Sequence, residues 1–544
     1  MNGTILGRMN GKIIYQNNDT QPNRNVMVIG GPGSFKTQSY VITNVLNESE
    51  NSIVVTDPKG EVYEMTAEVK ERQGYEVHVI NFTDMSHSSR YNPLDNITKD
   101  SHATEVATKI VDSGNADGKK DVWYHSQRAL LKAIILYVIH ELPPENRNFG
   151  GITDFLQAYG IDKNEDGVSE LDEVFLSLDR KHPARRAFEL GFNKSKGEMQ
   201  GSIIMSLLTT IADFVDEEVT NFTNFSDFHL KDPGRKKIAL YVIIPVMDNA
   251  MEGLINLFFS QLFSQLYELG AENGSKLPQK VDFILDEFVN LGKFPQFEEF
   301  LATCRGYGIG VSTIIQTITQ LEDKYKKEKA ESILGNHNIK ICLNASNKRT
   351  ADYFEGLLGK TTVEYETANE STTRSKETST SVSEGKNYTS RNLLNADEIL
   401  RLPSDTSIII FSFRTPIKAK KAFQWELFPG VVKWFPRKQR EYVPKTSQSQ
   451  LIAMEEANQK FLAKMEAKKP KKIVVPEPAI VTEDLDMTTQ TIQVDKENKE
   501  DDIEKMKETI NFDSFEIVET ETIGSDIDSD ELAELEALAD MEEL

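Results

Sequence analysis

A lysine and a hydroxyl residue, Lys36-Thr37, follow a glycine-rich turn made of Gly30, Gly31, Pro32, Gly33, Ser34 and Phe35. An apolar run, "NVMVIG" (25–30), precedes the turn, and a helical pattern, "KTQSYVITNVL", follows it. Strand, loop and helix in that order bring backbone N–H groups and a helix N-terminus to one point, which suits a phosphate. The Lys ammonium adds charge at the terminal phosphates of a nucleotide such as ATP, and the Thr hydroxyl is a ligand for Mg²⁺. The spacing is that of a P-loop with one departure: Phe35 stands where the pattern has its second glycine. A bulky side chain in left-handed backbone costs roughly 1–2 kcal/mol. Gly31 and Gly33 leave the rest of the turn free, so the departure bears on hydrolysis rate more than on binding.

Hydrolysis needs carboxylates on a neighbouring strand. "KVDFILDEF" (280–288) ends an apolar run on Asp286 and Glu287. Asp286 is placed to hold Mg²⁺ through water, and Glu287 to act as general base. Two acids at a strand end are common in a chain with 86 Asp and Glu. The P-loop upstream gives this pair its meaning.

Other constellations carry less. "DKNEDGVSELDE" (162–173) has Asp162, Asn164, Asp166, Gly167 and Glu173 at the spacing of a Ca²⁺ loop. Ser169 stands where that loop packs an apolar residue, and no second copy exists, so a solvated acidic turn is the reading. Basic clusters at Lys119-Lys120, Arg185-Arg186, Lys194/Lys196, Arg235–Lys237 and Lys324–Lys329 suit phosphate contacts of nucleic acid. Trp123 and Tyr124 lie near one of them and could stack on bases. Each cluster alone equally suits a solvated face. The eight histidines form no metal-spaced pair, and no Ser/His/Asp triad can be drawn.

The elements that must position these residues follow from hydrophobic pattern. Strands are predicted at 25–30, 52–57, 75–82, 237–246, 280–288, 309–315, 338–343 and 407–413, with a hairpin over 5–15 turning at Asn10-Gly11. Helical periodicity dominates 93–235. The fold class is therefore α/β, with a nucleotide-binding domain in two parts (1–92 and 236–440) split by an inserted all-α domain (93–235). Residues 361–390, rich in Thr, Ser and Glu, read as a mobile surface loop. A basic helical linker over 441–480, with a helix at 448–468, leads to an acidic disordered tail at 481–544. The tail holds 23 Asp and Glu against 4 Lys, so most of the net charge of −24 lies there and the body is near-balanced. Leu532, Leu535 and Leu538 share one helical face within it, which suits either a frayed solvated helix or one that folds on a partner. Two cysteines, Cys304 and Cys342, argue against a disulfide framework and for a reducing cytosol. The apolar runs 129–139 and 238–247 are too short to span a bilayer, so the chain itself reads as soluble.

Three further stretches carry a resemblance. "DPKGE" (57–61), "LDEFVNLGKFPQFEEFLATCRGYGIGVSTIIQTITQLEDKY" (285–325) and "RNLLNADEILRLP" (391–403) are similar to the type IV coupling proteins of conjugation, the TraG/TraD-type ATPases. "ELDEVFLSL" and "KGEMQGSIIMSLLTTIADF" resemble the helical domain of the Gram-positive branch. The resemblance covers roughly residues 5–430. It implies a RecA-like P-loop ATPase domain with an inserted all-α domain, using ATP and Mg²⁺. It also implies a homo-hexameric ring that delivers relaxase-bound single-stranded DNA to type IV secretion channel proteins, at the cytoplasmic face of the cell membrane. Residue by residue, Lys36 and Thr37 match the P-loop pair, and Asp286 and Glu287 the second acidic motif. Arg305 matches an arginine that reaches a neighbouring subunit's nucleotide, and Gln316 a sensor of the γ-phosphate. Phe35 departs from the family, as does the lack of transmembrane helices before the hairpin; these are expected to be removed or supplied by another polypeptide. Two rival readings stay open: a nucleotide-gated docking receptor with little turnover, favoured by Phe35, and a ring translocase for double-stranded DNA.

Overall fold

The structure is a computed structural model that describes residues 1–20, 23–115, 118–159, 168–194, 198–214, 216–245, 251–294, 296–374 and 378–468. Its strands are β1 (Gly3–Met9), β2 (Lys12–Asn17), β3 (Val26–Ile29), β4 (Ser52–Asp57), β5 (Glu76–Asn81), β6 (Ile238–Ile243), β7 (Val281–Leu285), β8 (Ile309–Ile315), β9 (Ile339–Cys342), β10 (Lys360–Arg374), β11 (Thr378–Asn392), β12 (Thr406–Phe411) and β13 (Arg414–Lys420). Among the described residues, eleven of these form one sheet in the order β2-β1-β13-β12-β9-β3-β8-β7-β4-β6-β5. From β9 to β5 all pairings are parallel, whereas β12, β13, β1 and β2 extend one edge with antiparallel pairings.

The central strands are near-continuous apolar runs because both faces of the sheet are covered. Successive residues of β3 serve opposite cores: Val26 and Val28 face one, Met27 and Ile29 the other. One core packs the helices Ile42–Asn47 and Glu61–Arg72 onto the sheet. The other holds the helix Glu252–Glu272 and runs on into the helices inserted between β5 and β6. Among the described residues, that insertion is built of the helices Asp100–Ser113, Val122–Glu141, Phe149–Ala158, Glu170–Ser177, Pro183–Leu190, Glu198–Ile211 and Glu217–Thr223. Val122–Glu141 is its axis, and the rings of Phe155, Phe175 and Phe188 contact one another in succession beside it. At the first hairpin, Asn10 (φ 54°) and Gly11 (φ 74°) make the two-residue turn that right-twisted strands favour.

Several expectations are corrected. Residues 361–374 and 378–390, expected as a mobile surface loop, are strands: β10 and β11 pair residue for residue from Lys360↔Asn392 to Arg374↔Thr378. Thr, Val and Tyr at 361–363, 365 and 388–389 favour extended backbone, and an exposed ribbon needs no apolar alternation to announce it. Tyr124 is buried, its hydroxyl donating to Asp112 Oδ1 at 2.8 Å, so only its exposed neighbour Trp123 offers a ring to solvent. Ser169 caps the helix Glu170–Ser177 in a reciprocal box with Asp172. Asp162, Asn164, Asp166 and Gly167 of the Ca²⁺-loop pattern lie outside the described residues, as do the tail 481–544 and its leucines. The linker helix Gln448–Lys468 carries three lysines and three glutamates, so it is balanced rather than basic. Among the described residues, no helix is long and apolar enough to cross a membrane.

Candidate nucleotide site

The C-terminal ends of β3, β4, β7 and β8 lie side by side, the edge at which open parallel sheets bind ligands. Gly30 closes β3, its N–H donating to Ile315 O at 3.1 Å. A side chain at Gly31 would strike Ser346, which stands 2.7 Å from where its Cβ would be. Gly33 takes φ 66° and Phe35 φ 59°. Phe35 thus adopts the left-handed backbone that the missing glycine would have adopted. Its half-buried ring is gripped by residues far along the chain. It meets Phe423 edge-on at 5.5 Å and Trp425 at 6.5 Å, while Phe423 and Trp425 stack on each other at 4.5 Å. Aromatic contacts of this kind are worth about 0.5–1.5 kcal/mol each, enough to offset the strain.

The helix after the loop opens as one π turn, Thr37–Val41, before becoming α-helical at Ile42. Lys36 is buried, with Nζ 3.3 Å from Gly31 O. Thr37 Oγ1 donates to Asp286 Oδ2 at 3.3 Å. Asp286, at the end of β7, is 3% exposed. Burial pushes its carboxyl up to about 6, Lys36 opposes that shift, and Glu287 adds to it. Glu287 has φ 49°, and its carboxylate accepts from Gln316 Nε2 at 3.0 and 3.1 Å and from Asn290 Nδ2 at 3.2 Å. Gln316 itself follows β8. Gly30, Gly31, Gly33, Ser34, Phe35, Lys36, Thr37, Asp286, Glu287 and Gln316 therefore meet at one edge of the sheet.

Arg305 does not join them. It is exposed in the turn Cys304–Tyr307, which precedes β8, whereas Gln316 follows β8. Seven residues of strand, roughly 20 Å, separate the two ends.

Two further members were not drawn from the sequence as site residues. Asp57 closes β4 next to β7, and its Oδ2 accepts from Tyr63 N at 2.8 Å. Its Oδ1 is buried without a hydrogen-bond partner. Burial pushes Asp57 up to about 7, and Glu61 and Asp286 push the same way against the Tyr63 and Gly60 N–H groups. The run "SIVVTD" ending in an acid is the signal that could have found it. The other is Lys421, whose Nζ donates to Ser34 O at 2.9 Å. Lys421 begins a strap in which each residue grips the phosphate loop or its helix. Ala422 O accepts from Thr43 at 2.8 Å, Gln424 reaches Gln38 at 3.4 Å, and Phe423 and Trp425 hold Phe35. The chain then runs over the helix Glu61–Arg72, where Arg437 pairs with Glu68 and Glu71. It reaches the insertion at Lys464, which pairs with Glu141 at 2.8 Å. Nothing local in the sequence ties 421–425 to 34–43.

The donor set fits a nucleotide and a divalent cation. Ser34 Oγ is buried in the loop without a partner, and Asp57 Oδ1 is a second orphan beside Asp286. Two buried lysines, Lys36 and Lys421, flank the loop, and burial holds the carboxyls of Asp57 and Asp286 above their ordinary range.

The family model for type IV secretory system conjugative DNA transfer matches residues 3–469. Conjugal transfer protein TraG of Escherichia coli is 27% identical over 395 residues, covering 68% of this chain and 60% of TraG. Protein VirD4 of Rhizobium radiobacter is 24% identical over 433 residues, covering 77% of this chain and 60% of VirD4. The chain thus spans about three fifths of the length of these relatives. The bacterial conjugative coupling protein TrwBdeltaN70, unbound, shares the fold with a TM-score of 0.54 at 17% identity, over 77% of this chain and 88% of that one. Plasmid coupling protein TrwB in complex with ADP and Mg²⁺ does so with a TM-score of 0.52 at 18% identity, over 74% and 86%. With the family model matched from the first hairpin to the linker helix, the chain belongs to the type IV secretory system conjugative DNA transfer family.

Proposed function

We propose that this chain is the ATPase coupling protein of a conjugative type IV secretion system. In this reading it recruits the relaxase–DNA complex and drives or gates the passage of single-stranded DNA to the channel proteins at the cytoplasmic face of the membrane. The observation that carries the reading is the Thr37–Asp286 contact at 3.3 Å beside the Gln316–Glu287 pair, because it joins a phosphate cradle to a cation ligand and a base. Lys36 and the loop N–H groups would hold the phosphates of ATP, and Thr37 with Asp286 would hold Mg²⁺. Bound Mg²⁺ would neutralise phosphate charge in the transition state. Glu287 would take the proton of the attacking water, with Gln316 and Asn290 orienting its carboxylate. Arg305, at the far end of β8, would act on a neighbouring subunit's nucleotide in a homo-hexameric ring.

Steady-state ATPase assays of wild type, Lys36→Ala and Glu287→Gln, with and without single-stranded DNA, test this. Turnover in wild type that both substitutions abolish is expected. Nucleotide binding without turnover would leave the second reading, a nucleotide-gated docking receptor. The observation favouring that alternative is that both oxygens of Glu287 already accept amide hydrogen bonds.

A further inference from the structure

We propose that Lys421 is a positioning residue for nucleotide: from the outer side of the phosphate loop its ammonium polarises the Ser34–Phe35 peptide, so that the Phe35 N–H becomes a stronger phosphate donor. This rests on the nucleotide reading above.

Lys421 is 2% exposed, and its Nζ lies 2.9 Å from Ser34 O. The described residues contain no cis peptide, so the Ser34 carbonyl and the Phe35 N–H of that unit point to opposite sides. A cation on the carbonyl side draws electron density from the amide and strengthens the N–H on the other side. The loop itself is held for this. The Phe35 ring is clamped by Phe423 and Trp425 and lies 5.7 Å from the Lys421 ammonium.

Charge points to an anion. Among the described residues no carboxylate stands within ion-pair distance of Lys421, and the nearby Asp405 is engaged by Lys420. Lys36 is a second buried ammonium on the same loop. Lys36 has the Asp286 carboxylate as counter-charge, whereas Lys421 has none within ion-pair distance among the described residues; a buried cation without counter-charge is costly, and a phosphate on the N–H side of the peptide would offset it. The groups facing Lys421 are Lys36, Asp405, Cys342 and the Phe35 ring. Burial and Lys36 push its ammonium down to about 8, against Cys342 and Asp405. Cys342 is pushed up to about 12 by burial, and Asp405 is held below its usual range by Lys420, so neither changes charge near pH 8.

The test is calorimetric titration of the full chain with Mg²⁺-ADP. Lys421→Met, similar in shape and uncharged, is expected to weaken binding by about tenfold or more, the order of one charge-assisted hydrogen bond. Lys421→Arg is expected to recover most of it. On wild type, affinity is expected to fall as pH rises from 7.5 to about 9 as this ammonium loses its proton, and Lys421→Arg to stay flat there. Thermal unfolding of each variant reports folding, and the wild-type pH profile needs no variant at all. Unchanged affinity in Lys421→Met, or a Lys421→Arg as weak as Lys421→Met, overturns the proposal. A wild type that binds no Mg²⁺-ADP overturns the nucleotide reading first, and this proposal with it.

Discussion

Gln316 Nε2 donates to both carboxylate oxygens of Glu287, at 3.0 and 3.1 Å, across the ends of the paired strands β7 and β8. One amide thereby fixes the plane of a carboxylate whose own backbone is left-handed. A base held this way has its direction set by a residue that need not touch substrate.

Gln316→Ala should lower kcat for ATP by about 10- to 100-fold, part of what a well-aligned base contributes, with KM changed by less than about threefold. Steady-state kinetics separate the two parameters. A raised KM at constant kcat would make Gln316 a nucleotide ligand instead.

Phe35 sets two effects against each other: a left-handed backbone that favours glycine, and a ring that Phe423 and Trp425 hold. Phe35→Ala keeps the strain and loses the ring, so it should destabilise the chain by about 2 kcal/mol. Phe35→Gly should cost about 1 kcal/mol less than Phe35→Ala, because glycine takes φ > 0 freely. Urea unfolding decides, and equal losses would mean that the backbone carries no strain.

Arg305 lies at the opposite end of β8 from the cradle. Arg305→Ala should therefore lower turnover while nucleotide affinity stays within about twofold. Mixing Arg305→Ala with Lys36→Ala should restore part of the activity, since each copy supplies what the other lacks. No recovery on mixing, at concentrations where wild type assembles, would count against a shared site.

Asp57 and Asp286 are pushed up to about 7 and about 6, chiefly by burial. Both folded values lie above that of an unfolded carboxyl, so the native state holds extra protons above about pH 4. Their contribution to stability is full at low pH and is lost as pH rises through about 6 to 7. Measured with a chelator present, Asp57→Asn should gain stability relative to wild type by about 3 kcal/mol between pH 4.5 and pH 8. Added Mg²⁺ should stabilise wild type at pH 8 and leave Asp286→Asn unmoved. Guanidinium titrations across pH measure both, and parallel curves for Asp57→Asn and wild type would refute the assignment.

Local patterns made most of the site legible. "NVMVIG" before the glycine turn and "VDFILDE" at a strand end needed only neighbouring residues to be read, and the structure brings them to one edge of the sheet. Strand order is what sequence alone does not carry. Asp57 comes near Asp286 because β4 pairs with β7, and nothing in "SIVVTD" states that neighbour. Lys421, Phe423 and Trp425 belong to the loop only through a fold that returns the chain to its start. The β10–β11 ribbon was hidden for a different reason: the apolar alternation that signals a strand arises from burial on one face, and its described ends are exposed on both.

β1, at the start of the chain, is completed by β13, with Arg8 opposite Lys420. Contacts so distant in sequence are late events, since loops must close before they count. A ribosome therefore releases the phosphate loop long before it releases the rings that hold Phe35. Until residues 421–425 have emerged, the nascent loop has neither its aromatic clamp nor the Lys421 ammonium behind Ser34. The nucleotide cradle is synthesised long before the residues that finish it, which ties its assembly to synthesis of nearly all the described residues that follow it.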